Sequence, residues 1–225
     1  MQSRPTPAEA WQLLREGNDR FVADAPAHPN QGAERRQSLK GQQAPFATLF
    51  GCSDSRVAAE LIFDVGLGDM FVVRTAGQVT DSAVLGTLEY GTSVLKTPLL
   101  VVLGHDRCGA ITATRDSFET GSSPGGFITD VVARLTPSLI QARNSGVTDI
   151  NGIVAEHVHT TAHMLPERSG IIRAAVDSGD LVIAGVTYSL DIGKAHLVAT
   201  LGDIGVDPEP RRQTSTSPTE SVQKR

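Results

Sequence analysis

Only two cysteines occur in 225 residues, and aromatic side chains make up 4% of the chain, with one tryptophan and two tyrosines. Two cysteines cannot build the disulfide framework that staples small secreted domains, and a chain of this length can bury a core without one. Basic residues are also scarce: 20 Lys and Arg against 25 Asp and Glu leave a formal net charge of −5. That removes the basic footprint expected of a nucleic-acid or anionic-membrane partner. No apolar run approaches the roughly 18–20 residues of a membrane-spanning helix. Met1-Gln2-Ser3-Arg4-Pro5 lacks the apolar segment of a secretory signal. These deficits predict a cytoplasmic protein in a reducing compartment, where a cysteine pair more often binds metal or takes part in catalysis than forms a disulfide.

What remains is ordinary for a globular domain: 40% hydrophobic and 20% charged residues. The length suits one α/β domain, assigned here to residues 1–206. Residues 207–225 hold Pro, Ser, Thr, Gln and charge with almost nothing apolar. They are expected to be a disordered tail.

A helix is predicted from Pro7, with Thr6 as cap and Glu9 completing a capping box. Trp11, Leu14, Phe21 and Val22 give it a broken apolar stripe, weakened in the middle by Gly17 and Asn18. Residues 25–43 read as an extended connection with a short helix over 35–40. From Phe46 the pattern alternates. Strands are predicted over 46–51, 70–73, 99–103 and 181–186. Helices are predicted over 81–95 with Ser82 or Asp81 as cap, from Gly109 onward, over 128–142 with a kink at Pro137, and over 150–165 and 171–178. Residues 187–190, 191–194 and 195–200 read as strand, turn and strand. Val- and Leu-rich strands separated by helices imply a mostly parallel sheet covered by helices on both faces, here with an antiparallel edge.

Two of these strands end in chemistry. The first delivers Cys52-Ser53-Asp54-Ser55-Arg56; the third delivers Gly104-His105-Asp106-Arg107-Cys108. Ligands in such sheets bind at the carboxyl ends of strands. If the two strands are neighbours, Cys52, His105 and Cys108 form a three-ligand set with an open position, as in catalytic zinc sites. On spacing alone, two inert buried cysteines and a solvated histidine compete with that reading. Asp54 and Arg56 favour the metal: a carboxylate and a forked guanidinium two residues apart pair when the loop presents both.

These residues resemble the β-class carbonic anhydrases, and the resemblance extends through Gly17-Asn18-x-x-Phe21, Gly68-Asp69-x-Phe71-Val72-Val73-Arg74 and Glu89-Tyr90 over roughly residues 10–200. The runs Val72-Val73-Arg74-Thr75-Ala76-Gly77 and Asp81-Ser82-Ala83-Val84-Leu85-Gly86 are similar to the actinobacterial members. Thr75 stands where the family usually has Asn. The resemblance implies reversible CO2 hydration, with Cys52, His105 and Cys108 holding one Zn²⁺ per subunit and a zinc hydroxide attacking CO2. Asp54, paired with Arg56, would accept a hydrogen bond from that hydroxide, or in a closed state become the fourth ligand. Gln43, Phe71, Tyr90 and Gly109 would bind CO2 or bicarbonate, Gln43, Phe71 and Tyr90 from across a subunit interface. The first helix would pack on a partner in a homodimer, which in this family can assemble into a tetramer. Two thiolates neutralise the metal's charge, so the bound water should be less acidified than the roughly pH 7 value of a three-histidine site, and activity should favour alkaline pH.

One family branch binds inhibitory bicarbonate through a Trp three residues before the first cysteine, with an Arg and a Tyr. Here Leu49 replaces the Trp while Arg74 and Tyr188 match, so that site is expected to be absent or weak. His157, His159 and His163 are expected on a partly solvated helix face, and Asp106 and Arg107 receive no catalytic role. Competing functions are turnover of carbonyl sulfide or carbon disulfide by the same site, and a lapsed homologue that keeps zinc or binds bicarbonate.

Overall fold

The computed structural model describes residues 4–209. Its centre is a five-stranded sheet in the order β2-β1-β3-β4-β5, built from β1 (Ala47–Cys52), β2 (Met70–Thr75), β3 (Leu99–His105), β4 (Val182–Tyr188) and β5 (Ala195–Leu201). All neighbours are parallel except β4 and β5. The expected parallel sheet with an antiparallel edge is therefore present. Helices flank it: α1 (Pro7–Val22), α2 (Ala33–Ser38), α3 (Ala59–Ile62), α4 (Ser82–Glu89), α5 (Gly109–Thr120), α6 (Ile128–Asn144), α7 (Ile150–Arg168) and α8 (Gly170–Asp177).

Alternation along β3 divides the core between the two faces. Leu99, Val101 and Leu103 pack with Ala10, Trp11 and Leu14 of α1 and with Ile62 and Phe63 at α3. Leu100 and Val102 pack on the other face with Leu135 and Leu139 of α6 and Val154, Val158 and Leu165 of α7. The capping box at Thr6 and Glu9 forms as the sequence predicts. The two residues that weaken α1 in sequence turn out to be its docking points. A Cβ on Gly17 would lie 1.8 Å from the Phe63 carbonyl oxygen, so only glycine lets α1 approach so closely. The Asn18 amide donates to the carbonyls of Ile62 and Gly193 and accepts from the Ala195 N–H, at 2.8–3.1 Å. The buried stripe of α1 is thus taken up within its own chain.

Several boundaries differ from the sequence reading. Residues 187 and 188 continue β4, so 181–190 does not split into two strands: the register carries on through Thr187↔His196 and Tyr188↔Ala195. The helix predicted over 81–95 is α-helical only to Glu89 and widens into a π-type turn over Tyr90–Val94; Asp81, not Ser82, caps it, accepting from the Val84 N–H. The four-residue α3 has too few positions to show a helical period and went unread. The connection 25–43 is tied down by two acidic side chains. Asp64 binds Arg20 and the Ala27 and His28 N–H groups, and Asp69 binds Asn30 and Arg35. Of the predicted tail only residues 207–209 are described, and the Glu209 N–H donates to the Leu197 carbonyl at 2.8 Å; residues 210–225 lie outside the described part.

Candidate metal centre

β1 and β3 are adjacent, with Gly51 paired to Leu103, so Cys52 and His105 emerge together at the carboxyl edge of the sheet. A tight turn follows β3, and Cys108 sits at the N-cap of α5. Sγ of Cys52, a ring nitrogen of His105 and Sγ of Cys108 all lie within 4.8 Å of one another, and all three residues are buried. Ligand bonds of about 2.0–2.3 Å to one tetrahedral ion can bridge such a group.

The imidazole is set for ligation. Nδ1 of His105 lies 2.9 Å from the Asp106 carbonyl, which can only accept, so Nδ1 carries the proton. Nε2 is left with its lone pair free, buried and without a hydrogen-bond partner. An orphaned nitrogen facing two thiols is the arrangement a soft cation would satisfy. The thiols interact directly. The hydrogen bond with Cys108 pulls the Cys52 pKa down, while Cys108 is pushed up by the same contact and by burial. A cation bound between them would take the place of thiol protons. Burial is the largest influence on His105 and works against its charged form, but Cys52, the Asp106 carbonyl and Asp54 together raise its pKa. The residues present fit zinc.

Beside the cluster, Arg56 holds Asp54. Nε donates to Oδ1 at 2.9 Å, Nη2 to Oδ2 at 2.7 Å, and the Arg56 backbone N–H also reaches Oδ1 at 2.9 Å. These bonds keep the Asp54 carboxyl well below the usual carboxylate range. Its Oδ2 stands 3.9 Å from Nε2 of His105. Gly109 follows Cys108 at the exposed start of α5, where the first helical N–H groups have no helical partner.

Gln43, Phe71 and Tyr90 are not brought to this cluster within the chain. Phe71 pairs with Thr48, four residues before Cys52 along β1, or about 13 Å of strand. Its ring lies 5.9 Å from that of Tyr90, which is 45% exposed, and Gln43 is exposed as well.

Several residues around the centre make contacts that the sequence reading did not assign to them. Arg74 clamps the site loop, with Nε on the Cys52 carbonyl at 2.8 Å and Nη2 on the Asp54 carbonyl at 2.5 Å. The Gly77 N–H donates to Cys52 Sγ at 3.3 Å. Asp106 accepts from the Leu190 N–H at 3.0 Å, and Arg107 bonds Asn151 through its backbone and Asp191 through its guanidinium. These two residues therefore fasten the ligand loop to its surroundings. The expectation of a solvated histidine face is corrected at His157, which is 8% exposed. The signal was present: His157 stands three residues after Val154 and four before Thr161, inside the buried stripe of α7. His163 is exposed, and its ring stacks at 4.1 Å on that of His159.

Comparison with known proteins bears on the same residues. A family model described as carbonic anhydrase matches residues 47–195. The carbonic anhydrase of Mycolicibacterium smegmatis is 52% identical over 199 residues, covering 88% of this chain and 97% of that protein. Carbonic anhydrase 2 of Mycobacterium tuberculosis is also 52% identical, over 88% of this chain and 96% of its own. Among solved structures, a tetrameric β-carbonic anhydrase from Sordaria macrospora superposes with a TM-score of 0.67 at 23% identity, covering 85% of this chain and 98% of that one. No helix among the described residues is long and apolar enough to cross a membrane.

Proposed function

Because the chain belongs to the β-carbonic anhydrase family, we propose that it catalyses the reversible hydration of CO2 to bicarbonate and a proton, with one zinc ion per subunit held by Cys52, His105 and Cys108. The observation that carries this reading is the convergence of two thiols and an unpartnered imidazole nitrogen at the carboxyl edge of the sheet. Bound there, zinc would supply the Lewis acidity that makes water a nucleophile near neutral pH. The chain's own groups supply orientation and proton handling. Asp54, held in anionic form by Arg56, accepts a hydrogen bond from the attacking water and directs its lone pair at CO2. Gly109 offers a free backbone N–H to a bicarbonate oxygen. In a closed arrangement Asp54 would leave Arg56 and join Cys52, His105 and Cys108 in holding the ion, excluding water.

The distance of Gln43, Phe71 and Tyr90 from their own cluster supports a homodimer in which they complete the partner's pocket. There, Phe71 and Tyr90 would form an apolar wall for CO2 and Gln43 would bond bicarbonate; two such dimers can form a tetramer. The inhibitory bicarbonate site is absent or weak, because Leu49 is buried in the core and two donors of Arg74 are committed to backbone carbonyls. Residues 1–206 act as one catalytic domain followed by a tail, in the cytoplasm. The names of these two relatives favour CO2 over carbonyl sulfide or carbon disulfide.

The test is stopped-flow CO2 hydration by zinc-loaded protein, beside Asp54→Ala. Catalysis that needs zinc and drops sharply in the variant is expected. A rate no greater than that of buffer from fully loaded protein would overturn the proposal.

A further inference from the structure

His157 lies outside the ligand set, yet its contacts lead to it. Nδ1 is 2.9 Å from Ser138 Oγ and Nε2 is 3.0 Å from the Gly77 carbonyl oxygen. A carbonyl only accepts, so Nε2 carries the proton and donates to Gly77, and Nδ1 accepts from the Ser138 hydroxyl. Both ring nitrogens are satisfied in one defined tautomer, anchored between α6 and α7. Burial keeps the ring neutral, its pKa pushed down to about 4.

Gly77 is also the residue whose N–H points at Cys52 Sγ. It is left-handed, at φ 62°, and a Cβ there would lie 2.8 Å from that of Ala110 and 2.9 Å from a Leu135 methyl. Glycine is therefore required, and glycine alone gives the backbone little stiffness. The peptide groups on the two sides of its Cα are fixed by separate bonds, the C=O by His157 and the N–H by sulfur.

We propose that His157, oriented by Ser138, is a positioning residue for the metal centre: it locks the Gly77 backbone so that the Gly77 N–H stays aimed at the Cys52 sulfur. An N–H bond to a thiolate stabilises its charge, fixes the lone pair left for the metal and lowers the energy of the sulfur electrons. Groups in this outer position set ligand orientation and metal affinity in other sites.

The inference rests on the cluster being a metal site, and the test separates the two. Zn²⁺ and Co²⁺ are titrated into metal-free wild type, His157→Asn and His157→Gln, with folding checked by circular dichroism. The glutamine amide can reach the Gly77 carbonyl as Nε2 does; the shorter asparagine amide reaches only the Ser138 side. Wild type should bind both ions and show sulfur-to-cobalt charge-transfer absorption. His157→Asn should weaken zinc binding about 10- to 100-fold and move that absorption to longer wavelength, while His157→Gln stays close to wild type. A purely packing role would affect both variants alike, so equal effects, or none in folded His157→Asn, overturn the proposal. Should His157→Asn fail to fold, Ser138→Ala replaces it: a shift of the absorption to longer wavelength supports the proposal and an unmoved band overturns it. Wild type that binds neither ion would sink the metal reading, and the inference with it.

Discussion

Arg56 and Asp54 meet fork to fork, with two side-chain N–H donors on two carboxylate oxygens at 2.9 and 2.7 Å. The pair holds the carboxylate beside the Cys52, His105 and Cys108 cluster, with Oδ2 3.9 Å from Nε2 of His105. Arg56→Ala removes both side-chain donors and frees Asp54 to move toward the metal. CO2 hydration should fall by about a hundredfold or more with zinc still bound, and Arg56→Lys should rescue it only in part, because a point charge cannot hold two oxygens at once. Stopped-flow rates set against metal content per subunit provide the check; a variant that loses its zinc would point to a structural role instead.

Arg74 gives a second test of the site loop. Its Nε and Nη2 are engaged by the Cys52 and Asp54 carbonyls and so are not available to a second bicarbonate. Wild type should therefore show simple product inhibition, without sigmoidal dependence on bicarbonate. Arg74→Leu should lose roughly 1.5–3 kcal/mol of stability for each charge-assisted bond that finds no replacement. Denaturant unfolding and bicarbonate titrations measure the two effects. Cooperative inhibition in wild type would mean that Arg74 can leave its carbonyls.

Gly17→Ala tests how α1 is docked. A Cβ placed 1.8 Å from the Phe63 carbonyl oxygen must push α1 away from the end of α3. The expected loss is on the order of 2–4 kcal/mol, even though alanine favours helix by about 1 kcal/mol. A melting temperature equal to or above that of wild type would contradict the packing.

Burial holds the His157 pKa at about 4, below the ordinary 6.5. Between those values the unfolded chain binds a proton that the folded chain does not. The contribution is complete above pH 6.5 and is lost as pH falls, by up to about 1.4 kcal/mol per pH unit. Metal-free wild type should therefore lose stability across that window more steeply than His157→Gln. Parallel pH profiles of the two proteins would show that the ring is protonated in the fold.

If Tyr90 serves the partner's pocket, two inactive chains can repair each other. In a mixed dimer of Cys52→Ser and Tyr90→Ala, one pocket carries both defects and the other carries neither. Co-assembly after mild unfolding should recover activity that neither homodimer has. Recovery no greater than the sum of the separate proteins would place Tyr90 within its own chain's site.

Much of the fold was legible because its causes are local. The Val- and Leu-rich runs, the capping box at Thr6 and Glu9 and the Asp81 cap act over a few residues, and the structure keeps them. The errors fall where a local pattern has two tertiary meanings. Thr187 looked like the start of a new strand, but β5 pairs along β4 from Ile183 through Tyr188 and makes it one. Gly17 and Asn18 looked like weak points in a helix until Phe63 and Gly193 were found against them. His157 sat in an apolar stripe, yet only the packing of α7 against α6 and the sheet shows it buried and bonded to Ser138.

The sequence by itself determined which atoms could act as ligands: two thiols and an imidazole at the ends of two apolar runs, with a carboxylate and its guanidinium two residues apart. Those are properties of side-chain chemistry and short spacing. Tertiary structure decided that the runs are neighbours, that His105 turns Nε2 and not Nδ1 inward, and that Arg74, Gly77 and His157 hold the loop from positions 20 to 105 residues away in the chain. Such contacts depend on strand order and helix packing across the sheet, which no short-range pattern encodes.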